Sequence, residues 1–331
     1  MSDLQVLCIG DPHIKYTNIP RSKEMIESVI SLVKERKPDI VVVMGDTLDR
    51  FEDVKTTALC LAVDFIDRLS KLVKVYLLIG NHDYPNPNVF MNAPHPFTAL
   101  HRWDSVVVVD KVITHNISGH DLTFVPYVCT GRFVEALNTT DNWINSKVIF
   151  AHQEFQGCQM GAITSINGDV WDTSFPEVVS GHIHDYQQCQ NNILYIGCPI
   201  QHTYGDTNIK TVSMLCINDH GYNEERISLN VKSMKLIHIE ALDIMNLIID
   251  KNELIKVIIH GTVADNTSVK KLSIIKELKD NGSKVVFKDR KEVTTRIRIN
   301  NDNEIRYGDV FYEEVKDTDM GEMYTSIFHR N

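Results

Sequence analysis

Short apolar runs alternate with amphipathic stretches along roughly the first eighty residues of the chain. Residues 4–9, 40–44 and 73–79 are short, predominantly apolar runs, which predict buried strands. Residues 22–37 carry apolar side chains at helical spacing and stop before a proline, and residues 53–69 have the same character. Strands that alternate with helices are typical of a layered α/β sheet.

Later in the chain the pattern changes to short β-branched runs. Residues 106–109, 112–117 and 122–128 predict strands, and the last two flank the turn signal at residues 118–121. Further strands are predicted at residues 147–151, 177–180, 193–196 and 210–217.

From about residue 235 a second rhythm of helices and strands begins. Residues 243–250 and 269–280 predict helices, and residues 254–260 and 284–288 predict strands. This pattern indicates a small α/β unit, followed from about residue 300 by a tail with weak periodicity. We therefore predict two domains, at residues 1–234 and 235–331.

The composition is that of a globular protein. Of 331 residues, 43% are apolar and 24% are charged, which excludes disordered and fibrous classes. The net charge of −10 argues against binding to nucleic acid through bulk charge. Residues 1–234 carry 27 acidic and 18 basic side chains, against 17 and 16 in the rest of the chain. Such carboxylates are either a solvated surface or metal ligands, and composition does not decide between them.

The cysteines indicate a reducing compartment. Their number, seven, is odd, and none forms a C-x-x-C pair, so neither a disulfide framework nor a cysteine zinc site is expected. The N-terminus has no signal-peptide pattern, and no apolar stretch approaches the roughly 20 residues that span a bilayer. We expect a soluble intracellular protein without membrane contact, in the cytoplasm or nucleus, or in a host cell if the gene is viral.

Polar residues of one chemical kind follow five of the predicted strands. Each group begins where an apolar run stops. The groups are Asp11 with His13, Asp46, Asn81 with His82 and Asp83, His152, and His182 with His184. Because ligands of open α/β sheets gather beyond the carboxyl ends of the strands, we expect these groups to meet at one edge.

The side chains in these groups are ligands for divalent metal ions. Imidazole and carboxylate suit manganese, iron or zinc, and the absence of thiolate argues against a structural zinc cage. The set is too large for one ion that must also hold water, and it suits two ions that share a carboxylate. Two ions about 3.5–4 Å apart can bind both non-bridging oxygens of a phosphate ester and hold a hydroxide between them. The set therefore predicts phosphoester hydrolysis.

The motifs in this order resemble the calcineurin-like metallophosphoesterase superfamily over roughly residues 4–200. They are Gly10-Asp11-Pro12-His13, Gly45-Asp46 followed by Asp49-Arg50, Gly80-Asn81-His82-Asp83, His152, and Gly181-His182-Ile183-His184. The resemblance implies an α/β fold, a four-layer αββα sandwich, with a small C-terminal α/β capping domain.

The resemblance also implies a role for each residue. Two ions share the bridging carboxylate of Asp46: one ion is held by Asp11, His13, Asp46 and His184, and the other by Asp46, Asn81, His152 and His182. The resemblance places His82 against the phosphate, where it stabilises or protonates the leaving oxygen. Asp49 is expected to hydrogen-bond His82 and hold its tautomer. We expect manganese, with magnesium, iron and zinc as alternatives.

The residues that follow the last predicted ligand resemble those of one branch of the superfamily. This branch is the DNA-repair nucleases of the SbcD and Mre-eleven type, in the compact form found in phages and large viruses. The segment Gly197-Cys198-Pro199-Ile200, with Tyr204-Gly205-Asp206 close behind, carries this resemblance. It implies an exonuclease or endonuclease in DNA repair, recombination or replication. Its implied partners are DNA, an SMC-like ATPase of the SbcC or Rad-fifty type, and a second copy of the chain.

A basic cluster in the second domain is a candidate DNA-binding surface. It comprises Lys284, Lys288, Arg290, Lys291, Arg296 and Arg298. The cluster either neutralises DNA phosphates, so that binding weakens with salt, or is a solvated strand face. Only about thirty residues follow Asn300, without a clear amphipathic helix, so the docking mode of an ATPase stays open. Residues 55–69 could form a dimer helix or face the sheet.

Two other functions compete with the nuclease. The first is a phosphatase or small-molecule phosphodiesterase on the same fold, because residues 45–50 resemble the protein serine/threonine phosphatases. Those enzymes continue with glycine and carry an arginine before the Gly-Asn-His motif, where this chain has Phe51 and Ile79. The second is a non-catalytic scaffold, which the complete set of ligands opposes.

The remaining histidines lack the spacing of the motifs. His120 lies between two hairpin strands and is expected to be structural. His202 lies shortly after a strand end and could reach the rim of the site. No role is expected for His95, His101, His115, His220, His238, His260 and His329.

Overall fold

The apolar runs of the sequence form the strands of two large sheets. The computed structural model describes residues 3–51, 53–250, 252–290 and 316–317. The strands are β1 (Leu4–Ile9), β2 (Ile40–Val43), β3 (Lys74–Leu78), β4 (Val106–Val109), β5 (Ile113–Ile117), β6 (His120–Phe124), β7 (Val148–His152), β8 (Gln159–Met160), β9 (Ile163–Thr164), β10 (Glu177–Gly181), β11 (Gln187–Gln190), β12 (Ile193–Tyr195), β13 (Val212–Asn218), β14 (Gly221–Ile227), β15 (Ser233–Glu240), β16 (Glu253–Gly261) and β17 (Lys284–Asp289).

The helices connect and cover these strands. They are α1 (Ile19–Arg36), α2 (Thr56–Ser70), α3 (Phe133–Leu137), α4 (Val263–Val269) and α5 (Ser273–Asp280). Single 3₁₀ turns occur at Tyr16–Asn18, Asn81–Asp83, Thr98–Arg102, Trp143–Asn145 and Ala241–Asn246. Among the described helices, none is both long enough and apolar enough to cross a membrane.

The two large sheets have six strands each. The first has the order β14-β13-β1-β2-β3-β4, in which β1 to β4 run parallel. The second has the order β11-β12-β10-β7-β6-β5, in which β12, β10, β7 and β6 run parallel. Parallel strands of one sheet end at the same edge, so each sheet presents several loops together.

Alternation along the strands builds two separate cores. In β1, Leu7 and Ile9 pack against the helices, whereas Val6 and Cys8 lie in the core between the two sheets. Successive side chains of a strand point to opposite faces, which is why runs buried on both sides are apolar at every position. The continuous runs of the sequence are explained by this double burial.

Helices close the sandwich on both outer faces. α1 and α2 cover the first sheet, and α3 with the loop segment around Trp171 covers the second. The order of layers is helices, sheet, sheet, helix, which is the four-layer αββα sandwich that the sequence predicts. α1 ends at Arg36. The next residue, Lys37, has a φ of 47° and precedes Pro38, which cannot continue the helix.

Residues 233–289 form a third sheet of three strands, with the order β15-β16-β17. Its apolar core includes Ile244 of the 3₁₀ turn, Ile259 of β16 and Leu278 of α5. Residues 1–288 form the first of two units in the chain, and only four residues of the second are described. The division at residues 234 and 235 stays a prediction.

The basic cluster is only partly described. Lys284 and Lys288 are exposed on β17, with the exposed Val286 between them. Lys291, Arg296 and Arg298 lie outside the described residues, as does the tail beyond Asn300 apart from residues 316–317. The DNA-binding role of this cluster therefore stays a prediction.

Candidate metal centre

The five polar groups of the sequence meet where the two large sheets present their loops. Asp11 follows β1, Asp46 follows β2 and Asn81 follows β3, while His152 ends β7 and His182 follows β10. The hydrogen bonds and close contacts described below join all seven predicted ligands. They are Asp11, His13, Asp46, Asn81, His152, His182 and His184.

Glycines allow the loops to come this close. A Cβ atom at Gly80 would overlap the main chain and carboxylate of Asp46, and one at Gly45 would overlap the imidazole of His152. Gly45 also has a φ of +102°, which L side chains rarely adopt. Close packing thus explains why glycine precedes the aspartate and the asparagine in the Gly-Asp and Gly-Asn pairs of the motifs.

Three of the ligands themselves have a strained backbone. The φ angles of His13, Asp46 and His182 are 42°, 46° and 77°, in the left-handed region. Such conformations cost about 1–3 kcal/mol each and cluster at functional sites. The main chain is thus bent to aim these side chains at one place.

The first ligand group lies around the side-chain oxygen of Asn81. This oxygen is 3.0 Å from Nε2 of His152 and 2.9 Å from Nδ1 of His182, and those two nitrogens are 3.3 Å apart. Oδ1 of Asp46 completes the group, 3.4 Å from Nε2 of His152. Ligand atoms of Asp46, His152 and His182 all lie within 4.8 Å of one another.

The second ligand group lies around His13. Its Nε2 is 2.9 Å from Nε2 of His184 and 3.6 Å from Oδ2 of Asp46. Ligand atoms of Asp11, His13 and Asp46 all lie within 4.8 Å of one another. Oδ2 of Asp11 is buried without a hydrogen-bond donor. A cation satisfies such an oxygen, whose burial is otherwise unfavourable.

The two groups fit two metal ions that share Asp46. Its Oδ1 faces the first group and its Oδ2 faces the second. Ligands at about 2.0–2.2 Å from a common ion lie roughly 2.9–3.5 Å apart. The distances in the first group, 2.9–3.4 Å, lie in this range, and those from Nε2 of His13, 2.9 and 3.6 Å, are close to it. The carboxylate therefore has the geometry of a bridge.

The tautomer of His152 is set for metal binding. Its Nδ1 lies 2.8 Å from the carbonyl oxygen of Met44 and donates to it. Nε2 is then the nitrogen that faces the ligand group and can give its lone pair to an ion. A main-chain acceptor behind a metal-binding imidazole is a common way of fixing its orientation.

In the metal-free protein, the neighbouring carboxylates keep His152 protonated at neutral pH. Burial lowers the pKa of this histidine, but attraction to Asp46 and Asp11 outweighs burial and raises it to about 9. Burial and the neighbouring His152 lower the pKa of His182 to about 3, so it is neutral. A metal ion must therefore displace a proton from His152 but none from His182.

We expect the metal affinity of the first group to rise with pH. At pH 7 the ion competes with the proton of His152, and this competition weakens toward the pKa of about 9. The affinity for Mn²⁺ should increase up to about tenfold per pH unit between pH 6.5 and 8. Calorimetry in buffers of different ionisation enthalpy measures the protons released. Equal affinity across this range, without proton release, would contradict the assignment.

His82 lies beside the two ligand groups, as the sequence predicts. Its Nε2 is 4.0 Å from Oδ2 of Asp46, and its side chain is 31% exposed at the edge of the site. Its main-chain N–H donates to Oδ1 of Asp46 at 2.8 Å. Its ring stacks on that of Phe51, with ring centroids 4.7 Å apart. The imidazole is thus held where it can reach a bound ester.

The expected contact between His82 and Asp49 is made by a different atom. Nδ1 of His82 lies 2.8 Å from the main-chain carbonyl oxygen of Asp49, not from its carboxylate. The carboxylate accepts from Nζ of Lys15 at 2.8 Å and lies 3.6 Å from Nδ1 of His13. The main chain of Asp49 therefore fixes the tautomer of His82, and its carboxylate faces a metal ligand.

Two residues without an assigned role support the site. Asp83 accepts hydrogen bonds from the main-chain N–H groups of Thr47, Leu48 and Gly80, at 3.0–3.2 Å, which ties two ligand loops together. His202 does reach the site, as its position after a strand allowed. Its Nε2 is 3.0 Å from the carbonyl oxygen of Asp11, and its ring contacts His13 and His184.

Two histidines without motif spacing form a group of their own. Nε2 of His101 is 2.8 Å from Oδ2 of Asp110, and Nε2 of His95 is 3.5 Å from the same oxygen. Nδ1 of His95 accepts the N–H of Phe97, so in the neutral ring Nε2 carries the proton. This arrangement favours hydrogen bonds to the carboxylate over a metal ion. His120 begins β6, opposite Ile117.

Comparison with known proteins gives a consistent result. The family model for calcineurin-like phosphoesterases matches residues 4–186. The chain is 41% identical over 283 residues to "Putative phosphoesterase 244L" of Invertebrate iridescent virus 6, covering 83% of this chain and all of the relative. It is 36% identical over 324 residues to "Putative phosphoesterase 078R" of Invertebrate iridescent virus 3, covering 96% of this chain and 93% of the relative.

One solved structure is more distant. It is described as "Structural and Functional Characterization of a Novel Archaeal Phosphodiesterase", with 12% identity and a TM-score of 0.37, over 68% of this chain and all of the other. A likeness of this size supports no argument about the site.

Proposed function

The chain belongs to the calcineurin-like phosphoesterase family, and on that premise we propose that this metal-dependent phosphoesterase is a DNA nuclease. The proposed reaction is hydrolysis of a phosphodiester bond within, or at the end of, a DNA strand. It would serve DNA repair, recombination or replication. The support comes from the surroundings of the metal ligands and from the residues that are in place for the reaction.

One observation carries the proposal: open clefts lie on two sides of the ligands. The cleft beside His82 has a volume of about 420 Å³ and is lined by Asp49, Arg50, Phe51, Asp53 and His82. The cleft beside His182 and His184 has a volume of about 390 Å³. A phosphodiester carries an organic group on each side of phosphorus, whereas a monoester carries one. Two clefts therefore suit a diester in a polymer that continues in both directions.

The two ligand groups would hold two divalent ions for the attack of water on phosphorus. Two bound divalent ions supply Lewis-acid activation of the phosphate and of the attacking water. Asp46 holds the two ligand groups at a fixed separation, and the strained loops keep the imidazoles aimed at it. His82, on the cleft side, is placed to give a proton to the leaving oxygen. We propose Mn²⁺ for these sites, because imidazole and carboxylate ligands suit it.

The phosphatase alternative lacks its usual anion clamp. Phe51, which stacks on His82, stands where glycine would follow the motif arginine. Ile79 stands where an arginine would precede the Gly-Asn-His motif, and it is fully buried in the helix-side core. Arg50 lines the cleft beside His82 and is the guanidinium nearest in sequence to the motif. A single exposed arginine offers less to a dianionic monoester than a clamped pair would.

The partners of the nuclease branch are part of the proposal. We propose DNA as the substrate, with Lys284 and Lys288 of the exposed face of β17 as contacts to its phosphates. An SMC-like ATPase subunit and a second copy of the chain are proposed on the resemblance to the SbcD and Mre-eleven type alone. Pull-down with such an ATPase, and light scattering of the purified chain, would test these two proposals separately.

A substrate comparison tests the proposed function. We expect purified protein with Mn²⁺ to release nucleotides or fragments from linear single- or double-stranded DNA, and to cleave bis(p-nitrophenyl) phosphate faster than p-nitrophenyl phosphate. The measurement is the ratio of kcat/KM for diester and monoester, together with gel analysis of the DNA. Brisk monoester cleavage without any cleavage of DNA would contradict the nuclease and favour the phosphatase.

A further inference from the structure

A hairpin of two short strands forms one wall of the metal cleft. β8 and β9 pair in antiparallel fashion through a two-residue turn. Gln159, Met160 and Gly161 of this hairpin line the same cleft as the ligands His182 and His184. A substrate that reaches these two ligands therefore passes beside the hairpin.

The pairing of the hairpin shows which side chains share a face. Met160 lies directly opposite Ile163, and directly opposed residues of an antiparallel pair share one face. Met160 lines the cleft, and Ile163 lies beside it on the same face of the hairpin. Gln159, on the other face, borders the cleft as well. Gln159 and Thr164 share the other face, where their side chains hydrogen-bond at 3.1 Å. One face of the hairpin is thus apolar and the other polar.

The apolar face is exposed. The side chain of Ile163 is 66% exposed, and Ile166 and Val170 just beyond the hairpin are more exposed still. Isolated apolar residues on a surface are ordinary, but several within one short segment beside a catalytic cleft mark an interaction site. Nothing within the described residues covers Ile163.

The surroundings of the hairpin are unusually neutral for an acidic protein. Residues 155–168 and 186–205 contain no Asp, Glu, Lys or Arg, although the net charge of the chain is −10. The two carboxylates at this cleft are already engaged: Asp185 pairs with Lys210, and Asp206 accepts from Thr203. The hairpin itself therefore has no charged side chain with which to bind phosphates, which leaves the bases as its natural contact.

The hairpin is held firmly at its base. The main-chain N–H of Gln159 donates to the side-chain oxygen of Gln187, and the side-chain amide of Gln187 donates back to the carbonyl oxygen of Gln159, at 2.8 and 2.9 Å. The N–H of Ser165 donates to the carbonyl oxygen of the buried Cys158. A surface fixed before binding loses little entropy when a ligand contacts it.

We propose that the apolar face of the hairpin, Met160 and Ile163, contacts the bases of the strand whose phosphodiester lies at the metal ligands. This inference rests on the proposed function and narrows its substrate. Aliphatic side chains pack against bases and insert between them where the bases are unstacked. The substrate class is therefore a single strand or a frayed end, not a fully stacked duplex.

Substitution of Ile163 tests this inference with two DNA substrates. One is a single-stranded oligonucleotide, and the other has the same phosphates but abasic residues at every position. We expect the wild-type protein to favour the base-bearing strand in kcat/KM. Ile163→Ser should lower that preference about five- to tenfold, the low end of the effect of losing one base contact. Ile163→Phe should keep or raise it, because an aromatic ring stacks on any base.

The ratio of the two substrates removes differences in folding and metal content. Ile144→Ser is the matched control, since Ile144 is also exposed but precedes β7, at the end of that strand opposite His152. Its ratio should equal that of the wild type. Equal cleavage of both strands by the wild type, or an unchanged ratio in Ile163→Ser, overturns the inference and leaves the nuclease intact. If the wild type cleaves bis(p-nitrophenyl) phosphate but neither strand, the proposed function itself fails, and the inference fails with it.

Discussion

Asp46→Asn is expected to abolish phosphoester hydrolysis, with a loss of kcat/KM of about 1,000-fold or more. Asp46 faces both ligand groups, with one oxygen 3.4 Å from His152 and the other 3.6 Å from His13. An asparagine offers one neutral oxygen and a nitrogen that cannot bind an ion. The bridge would be lost, and with it several kcal/mol of charge stabilisation in the transition state.

Metal content distinguishes this explanation from simple unfolding. Mass spectrometry of the dialysed protein should find two ions per wild-type chain and fewer in Asp46→Asn, with the thermal transition of the metal-free proteins compared alongside. Asp64→Asn is the matched control, because Asp64 is an exposed carboxylate on α2, and it should retain both ions and full activity. Two tightly bound ions and near-normal activity in Asp46→Asn would show that this carboxylate is not the bridge.

The sequence predicts the position of the metal centre because each ligand lies at the end of a run buried on both faces. Val42 and Val43 of β2 point to opposite cores, so the run must stop where the strand leaves the sandwich, and Asp46 follows at that point. The same holds for β1 and Asp11. Strand ends are visible in one sequence, and the parallel arrangement then brings them to one edge.

Contacts made by main-chain atoms could not be predicted in this way. The acceptor for His82 is the carbonyl oxygen of Asp49, which any residue at that position would supply. The carboxylate turns instead toward Lys15 and His13, a choice that depends on where the loop after β1 lies. A sequence motif identifies the residue at a position, but it does not show which atom of that residue makes the hydrogen bond.

The sequence pattern also fails to predict secondary-structure elements that are too short to show periodicity. β8 and β9 have two residues each, too few for an alternating pattern, and they are recognised only through their pairing. The helix predicted over residues 269–280 begins only at Ser273, as α5, and α4, at Val263–Val269, was not predicted. The segment predicted as a helix at residues 243–250 is a 3₁₀ turn at Ala241–Asn246, where the buried Ala241 and Ile244 repeat every three residues.

His82→Asn is expected to lower kcat by about 100- to 10,000-fold while both metal ions stay bound. The imidazole is not within the ligand groups, since its Nε2 is 4.0 Å from Asp46 and faces the cleft. The hydrogen bond that His82 gives to Asp46 comes from its main-chain N–H, so the substitution leaves the bridging carboxylate in position. What is lost is the proton for the leaving oxygen.

The nature of the leaving group sharpens this prediction. The loss in His82→Asn should be larger for DNA, whose alkoxide leaving group needs the proton, than for bis(p-nitrophenyl) phosphate, whose phenolate leaves readily. An equal loss with both substrates, or a loss of metal, would contradict the role of His82 as a proton donor.

Asp49→Asn is expected to lower the metal affinity and leave kcat unchanged, which is the opposite of the result expected for His82→Asn. The carbonyl oxygen that orients His82 remains in this variant, so kcat at saturating Mn²⁺ should stay close to that of the wild type. The carboxylate that faces His13 is lost, and the metal affinity should fall about 10- to 100-fold. If Asp49→Asn instead lowered kcat as much as His82→Asn at saturating metal, the carboxylate would be acting on His82. One variant should thus impair proton transfer and the other metal binding, because the imidazole and the carboxylate face different parts of the same site.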